Sequence, residues 1–270
     1  MSSGPTHAAD LFVVLNGTRL RFRDEGHGPA VLLVHGWTLA LEMWDPQVEA
    51  LRDTFRLVRL DRRGHGCSGG TADPERDPED LAALCSHLGL SRVALLGMSQ
   101  GARAVLGFAA SGRVQVEALI LDGPPPLESD SAQDLPLERY AALVREHGME
   151  AFRREWSNDA LMQLRTSNPR ARALLAAMIA RYRGTDLGQP ARRAEPGTSL
   201  ESSRVPTLVL SGAYDLASRR RAARRLVARL SHAELMVIPG AGHLPNLDSP
   251  DAYSRVCRQF LLRHCVRDTS

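Results

Sequence analysis

Hydrophobic and polar positions in the first half of the chain alternate between two patterns. Short apolar runs, typical of buried β-strands, are separated by longer segments in which apolar residues recur every three or four positions, as in helices. The predicted strands are 12–15, 19–23, 30–34, 55–60, 93–96 and 118–121, and the predicted helices are 43–51, 78–88 and 101–110. Strands and helices that alternate in this way predict a mostly parallel sheet with helices on both faces.

The pattern changes between residues 123 and 200, where no convincing β run occurs. Amphipathic helical stretches are predicted at 137–146, 149–156 and 170–182, and the α/β pattern resumes after Pro206 with strands 207–210 and 235–238 and helices 219–230 and 250–263. The economical interpretation is one α/β fold of about eight strands, formed by residues 1–122 and 201–270. Residues 123–200 are then a helical cap, or lid, inserted into it.

A serine lies where one predicted strand meets a helix, in the segment Gly97-Met98-Ser99-Gln100-Gly101. A sharp strand-to-helix turn forces such a serine into a strained backbone conformation, and the flanking glycines remove side chains that would collide there. The serine oxygen then stands at the positive end of a helix dipole. The alternative is that Ser99 only caps the helix N-terminus, but this context predicts that Ser99 is a nucleophile.

A serine nucleophile needs a base and an acid that orients the base. Of the nine histidines, His243 follows the last predicted strand in a glycine-rich turn that can aim its imidazole at Ser99. Asp215, after the strand at 207–210, is the favoured acid, and Asp122, at the end of the strand at 118–121, is its rival. The order of nucleophile, acid and histidine along the chain differs from the orders of the two main serine protease folds.

Two backbone N–H groups must also stabilise the negative oxygen that develops during acyl transfer. One is expected at Gln100, directly after the nucleophile. The other is expected in His35-Gly36-Trp37, after the strand at 30–34, with Trp37 as the donor and its indole as a wall of the pocket.

These segments resemble the α/β-hydrolase superfamily, and in particular its small cap-bearing esterase and lactonase branch, which includes enol-lactonases and cofactor-free perhydrolases. The likeness is carried by 35–37, 61–66, 97–101 and 239–243, which occur in the family's order and spacing. It implies a serine triad, no cofactor, no metal and a structural role for His65. Two departures are Ala102, where another glycine is frequent, and Cys67, where a bulkier polar residue is usual.

The composition excludes some catalytic mechanisms and indicates the cellular compartment in which the protein is expected. All 34 basic residues other than histidine are arginine, because the chain has no lysine, and this excludes Schiff-base mechanisms. The four cysteines have no metal-binding spacing and are typical of free thiols in a reducing compartment. With no signal-peptide pattern or apolar stretch of transmembrane length, the expected location is cytoplasmic.

The arginines are interpreted as solvated surface. On the helix at 219–230 an apolar stripe leaves the arginines for the outer face. Residues 123–200 contain eleven Arg and ten Asp or Glu, which gives no support for an anionic substrate, and a net charge of +3 requires neither a nucleic-acid nor a membrane partner. The candidate substrate-binding residues are Trp37, Trp156 and Met162, although most apolar cap residues are expected to form the cap's own core.

The sequence thus predicts a serine hydrolase that cleaves small-molecule carboxylic esters or lactones through an acyl-enzyme. The same residues also suit C–C bond hydrolysis or cofactor-free perhydrolysis with peroxide. A non-catalytic ligand-binding protein on this fold is the third hypothesis, disfavoured by the complete set of Ser99, Asp215 and His243. A serine at position 99 argues against dehalogenase and epoxide hydrolase chemistry, which uses an aspartate there. The oligomeric state stays open.

Overall fold

A computed structural model of the chain describes residues 8–126, 135–187 and 203–266. Its centre is an eight-stranded sheet in the order β1-β2-β4-β3-β5-β6-β7-β8. The strands are β1 (Leu11–Leu15), β2 (Thr18–Glu25), β3 (Ala30–Val34), β4 (Arg56–Leu60), β5 (Arg92–Met98), β6 (Gln115–Asp122), β7 (Thr207–Gly212) and β8 (Ala233–Ile238). The β1–β2 hairpin is antiparallel, β2 is antiparallel to β4, and the other pairs are parallel. The predicted fold class is confirmed.

The helices connect these strands as the sequence pattern indicates, with three differences. They are α1 (Asp45–Leu51), α2 (Asp77–His87), α3 (Gln100–Ala110), α4 (Leu137–Ser157), α5 (Pro169–Arg181), α6 (Ala217–Arg229), α7 (Pro245–Asp248) and α8 (Pro250–Cys265), with 3₁₀ turns at Leu41–Trp44 and Ala160–Met162. The helix predicted at 43–51 is divided into a 3₁₀ turn and α1. The two helices predicted at 137–146 and 149–156 form α4, which breaks at Gly148, and the short α7 was not predicted.

Both faces of the sheet are apolar because helices cover both. In β3, Val31 and Leu33 belong to one hydrophobic cluster, whereas Leu32 and Val34 belong to the other. The first cluster includes residues of α1 and α8, and the second includes residues of α2, α3 and α6. This alternation is the reason why the strands appear in the sequence as continuous apolar runs.

The helical segment between β6 and β7 packs on the first of these clusters. Trp156 and Phe152 of α4 lie edge-on to Trp37, with ring centroids 4.9 and 5.8 Å from the Trp37 ring. Tyr182, after α5, contacts the same indole at 5.7 Å. The predicted start of the cap falls at the end of β6, and its predicted end at residue 200 lies outside the described residues. In the described part of the chain, no helix has both the length and the apolar character that crossing a membrane requires.

Candidate active site

Ser99 occupies a strained turn between β5 and α3. Its backbone angles are φ 53° and ψ −116°, in a region that residues other than glycine rarely adopt. The turn is held on both sides, because the Ser99 amide donates to the Asp122 carbonyl at 2.8 Å and the Ser99 carbonyl accepts from the Ala102 amide at 2.9 Å. The sharp strand-to-helix turn that the sequence predicts is therefore present in the fold.

The two glycines of the motif lie where no side chain can be accommodated. A Cβ atom on Gly97 would lie 2.3 Å from the Gly101 carbonyl oxygen, and one on Gly101 would lie 2.2 Å from the Val34 carbonyl oxygen. Both obstacles are backbone atoms, which cannot rotate away. The close approach of β3, β5 and α3 thus depends on glycine at both positions.

His243 and Asp215 meet at the ends of neighbouring strands. His243 Nδ1 lies 3.0 and 3.1 Å from the two carboxylate oxygens of Asp215, and both side chains are buried. The loops are joined by a hydrogen bond from the Tyr214 amide to the Ala241 carbonyl, and the Leu216 amide donates to Asp215 Oδ1. With Nδ1 facing the carboxylate, Nε2 is the imidazole atom left for Ser99, and both side chains line one cavity.

Asp122, the rival acid, is fully buried beneath this arrangement. No described hydrogen bond joins its carboxyl group to His243. Burial and, after it, the nearby Asp215 carboxylate raise the pKa of Asp122 well above its ordinary value. The following residue, Gly123, backs the imidazole, since a Cβ there would lie 2.9 Å from His243 Cε1. The geometry therefore favours Asp215 over Asp122 as the partner of His243.

The two predicted oxyanion donors belong to segments that lie next to Ser99. Gln100 is the first residue of α3, so its N–H has no acceptor within the helix and carries the positive end of the helix dipole. The loop with Trp37 lies against the nucleophile, because a Cβ on Gly36 would be 3.4 Å from Ser99 Cβ. The Trp37 indole lines the same cavity as Ser99.

Buried polar groups fix both of these loops. His35 Nε2 accepts from the Arg62 amide at 2.9 Å, which leaves Nδ1–H to donate to the Gly36 carbonyl at 2.7 Å. The Arg62 guanidinium pairs with Asp77 and also donates to the Gln100 side-chain oxygen at 3.3 and 3.4 Å.

His65 is buried and stacks near His35, with ring centroids 5.2 Å apart. Burial and the Arg62 charge lower the pKa of each of these two histidines to about 3, so both are neutral. This agrees with a structural role for His65.

Ser99 lines a small cavity that is partly open to solvent. Its walls are mainly apolar and are formed by Trp37, Leu39, Leu135, Trp156, Leu161 and Met162. All three candidate substrate-binding residues thus lie on the wall. Met178 and Tyr182 belong to the same hydrophobic cluster as these wall residues but are not among the residues that line the cavity. Cys67, one of the two departures from the family pattern, is exposed.

Two hydrogen bonds between the loop after β3 and the segment between β6 and β7 were not predicted. The Trp37 indole N–H donates to Asp186 at 2.6 Å, and the Trp156 indole N–H donates to the Thr38 hydroxyl at 2.7 Å. Thr38 has a φ of 62°, which is unusual for a β-branched residue. These hydrogen bonds join residues more than a hundred positions apart, and no local sequence pattern predicts them.

Arg219 contradicts the interpretation of the α6 arginines as an exposed face. Arg221, Arg224, Arg225 and Arg229 are exposed as expected, but Arg219 is 1% exposed and lines the cavity with Ser99 and His243. The signal was its position, since 219 precedes the buried Ala222 and Ala223 by three and four residues and so shares their face of the helix.

Fold and site together define an α/β-hydrolase, in which a serine at a strand-to-helix turn faces a histidine and a carboxylate from later loops. The alpha/beta hydrolase family matches residues 31–256, and the chain belongs to this family. The resemblance seen in the sequence is confirmed, and the chain is an enzyme of the hydrolase class.

Solved structures and curated relatives extend this result. An esterase from Thermogutta terrifontis is 30% identical, with a TM-score of 0.82 over 96% of this chain and 100% of that one. An enol-lactonase from Burkholderia xenovorans LB400 is 26% identical, with a TM-score of 0.79 over 93% and 99%. A pimeloyl-(acyl-carrier protein) methyl ester esterase of Pectobacterium atrosepticum is 29% identical over 87% of this chain and 95% of its own length.

Proposed function

We propose that the chain is a serine hydrolase that cleaves small carboxylic esters or lactones through an acyl-enzyme. The observation that carries this proposal is the shared cavity of Ser99 and His243, with the Asp215 carboxylate 3.0 Å from the far nitrogen of the imidazole. The esterase and enol-lactonase among its relatives support the choice of bond.

Acylation begins when Ser99 Oγ attacks the substrate carbonyl carbon and its proton passes to His243 Nε2. Asp215 stabilises the imidazolium through the hydrogen bond at Nδ1. The carbonyl oxygen becomes negative and accepts hydrogen bonds from the Trp37 and Gln100 amides, whose positions are fixed before the reaction starts. His243 then returns the proton to the leaving alcohol oxygen, and the acyl-enzyme remains. For a lactone the leaving oxygen stays attached to the acyl group.

Deacylation repeats these steps with water as the nucleophile. His243 removes a proton from water, the hydroxide attacks the acyl carbon, and Ser99 leaves as the alcohol. The apolar walls limit the number of competing water molecules and strengthen the hydrogen bonds to the oxyanion. We further propose that the cap at 123–200 sets the acyl-chain preference, since Trp156, Leu161 and Met162 supply walls while the core supplies the reacting groups.

The test is covalent labelling with a fluorophosphonate probe, followed by peptide mapping. The expected result is one labelled residue, Ser99, and no labelling of Ser99→Ala. The matched control is Ser86→Ala, which removes an exposed serine of α2 and should leave labelling and esterase activity unchanged. Labelling at another serine contradicts the proposal, as does a folded wild-type protein that neither labels nor hydrolyses simple esters. The latter result favours a non-catalytic ligand-binding protein.

We also propose a cytoplasmic location. It is supported by the four free cysteines, three of them buried, which is the state expected in a reducing compartment.

A further inference from the structure

Two neighbouring side chains in the loop after β3 are hydrogen-bonded to the segment between β6 and β7. The Trp37 indole N–H donates to Asp186 Oδ2 at 2.6 Å, and the Thr38 hydroxyl accepts the Trp156 indole N–H at 2.7 Å. Within the described part of the chain, the backbone N–H of Trp37 has no hydrogen-bond acceptor. The loop is thus held through its side chains, and its backbone donor is left for a ligand.

We propose that Asp186 is a positioning residue: through the Trp37 indole, and together with the bond from Trp156 to Thr38, it holds the Trp37 amide where the oxyanion develops. This inference rests on the proposed function, which assigns that amide to the oxyanion. It gives the segment between β6 and β7 a part in the reaction besides substrate selectivity. Asp186 is not among the described residues that line the cavity, so it acts through Trp37 and not on the substrate.

The Asp186 carboxylate is itself held in place. The Tyr182 hydroxyl donates to Oδ1, the oxygen that Trp37 does not use. Burial and, after it, the Asp186 charge raise the pKa of Tyr182 well above its ordinary value, so the hydroxyl keeps its proton. The preceding residue, Thr185, accepts from the Ala72 amide in the loop after β4 at 3.1 Å. A carboxylate fixed in this way restricts the indole to one orientation.

The backbone at Thr38 explains why the loop needs such support. Its φ of 62° lies in the left-handed region, which is strained for a β-branched residue. Strain of this kind persists only where the surrounding structure enforces it. Thr38 is buried, and Trp156 enforces the conformation by binding its hydroxyl while packing edge-on against the Trp37 ring.

The expected kinetic effect follows from the way in which an oxyanion donor acts. With the indole bound, the backbone of Trp37 can rotate little without pulling the side chain away from Asp186. A donor stabilises the oxyanion only if it already points at the oxygen when the reaction starts, and a displacement of about 1 Å can lower the rate by about a hundredfold. The ground-state ester gains less from the same donor. Loss of the Asp186 bond should therefore lower kcat and kcat/KM together.

The test compares Asp186→Leu with Asp186→Asn in the hydrolysis of p-nitrophenyl butyrate. Leucine removes both acceptor oxygens, and kcat and kcat/KM should each fall by roughly ten- to hundredfold, with KM little changed. Asparagine keeps an acceptor oxygen for the indole N–H and should restore most of the activity. The matched control is Glu150→Leu, which removes an exposed carboxylate of α4 and should change neither constant.

Two further measurements report on the oxyanion and on the hydrogen bond. With 1,1,1-trifluorohexan-2-one, Ser99 Oγ adds to the ketone carbon, the serine proton passes to His243, and the ketone oxygen becomes the oxyanion. The inhibition constant of this ketone should rise in Asp186→Leu by the factor by which kcat/KM falls. In NMR spectra the chain has three tryptophan indoles, and Trp37→Phe identifies the resonance of Trp37. In Asp186→Leu this N–H should shift and exchange faster with solvent.

Thermal unfolding checks that each variant is folded. Thr38→Val keeps the branched side chain and removes the acceptor of the Trp156 indole; it should lower kcat at constant KM, and it serves as the test if Asp186→Leu does not fold. A raised KM with unchanged kcat would overturn the proposal, because Asp186 would then only shape the cavity. An unchanged inhibition constant would overturn it too, as would an Asp186→Asn variant as impaired as Asp186→Leu.

The wild-type protein separates this inference from the proposed function. If it hydrolyses p-nitrophenyl butyrate and Asp186→Leu does so equally well, the role of Asp186 is refuted and the hydrolase proposal stands. If the wild-type protein neither hydrolyses the ester nor binds the trifluoromethyl ketone, the hydrolase proposal fails and the role of Asp186 fails with it, even where the NMR shift confirms the bond to Trp37.

Discussion

Replacing Asp215 with asparagine tests the electrostatic core of the site. The change removes one negative charge 3.0 Å from His243 Nδ1 and keeps the shape of the side chain. The carboxylate matters most in the transition state, when the imidazole carries a positive charge. With an effective dielectric constant of about 20, two unit charges at this distance attract each other by about 5.5 kcal/mol.

A loss of this size corresponds to about a 10⁴-fold decrease in kcat, at 1.36 kcal/mol for each factor of ten. Asparagine also offers an N–H group to Nδ1, and this favours the imidazole tautomer whose proton is on Nε2, where it cannot accept the serine proton. The assay is steady-state hydrolysis of p-nitrophenyl butyrate. Thermal unfolding checks that the variant is folded, and the rate of fluorophosphonate labelling should fall in parallel.

Asp122→Asn is the matched control, since it makes the same chemical change at a second buried carboxyl group next to the site. Burial raises the pKa of Asp122 well above its ordinary value, which favours the neutral acid, and an amide resembles the neutral acid. We expect a decrease in kcat of less than about tenfold. The reasoning is refuted if Asp122→Asn is the more damaging change, because the carboxylate that supports His243 would then be Asp122.

Two further predictions concern the supporting residues. Because the pKa of His65 is lowered to about 3 in the fold, the unfolded chain binds the extra proton below pH 6.5, and stability falls as the pH drops from about 6.5 towards 3. In urea unfolding, His65→Asn should reduce by about 2 kcal/mol the difference between the free energies of unfolding at pH 7 and pH 5. The control His27→Asn, at an exposed position, should leave that difference unchanged. The same pH dependence in both variants would contradict the prediction. Met162→Ala should enlarge the cavity and shift the kcat/KM optimum towards longer acyl chains, measured from p-nitrophenyl acetate to octanoate. Met178 is buried but does not line the cavity, so Met178→Ala should lower stability and leave the dependence of kcat/KM on acyl-chain length unchanged. If the two variants show the same dependence on chain length, Met162 does not limit the length of the acyl chain.

The fold could be predicted from the sequence because its signals are local. The central strands β3, β5 and β7 are buried on both faces, so they appear as apolar runs, and all eight predicted strands are present in the sheet. The turn at Ser99 was predictable for a similar reason. Its two glycines are required by close backbone contacts, one within the strand–turn–helix unit and one with the neighbouring strand β3. The strand, the turn and the helix can all be recognised in the sequence.

The partner of His243 was only partly predictable. Asp122 ends β6 and Asp215 lies in the loop after β7, and the sequence alone leaves the two as alternatives. The choice depends on how the loops after β7 and β8 are joined, and the bond between the Tyr214 amide and the Ala241 carbonyl decides this in three dimensions. The same packing leaves Asp122 buried below the pair.

The lining of the cavity was decided by tertiary structure. Arg219 and the exposed Arg221 belong to the same run of arginines, and only the rotation of α6 against the sheet places the first inside and the second outside. Likewise, Trp37 and Trp156 are far apart in the chain, and they meet because the cap helices share a hydrophobic cluster with the sheet. Apolar periodicity determines which face of an element is buried, but the packing of distant elements against each other determines which buried side chains surround the nucleophile.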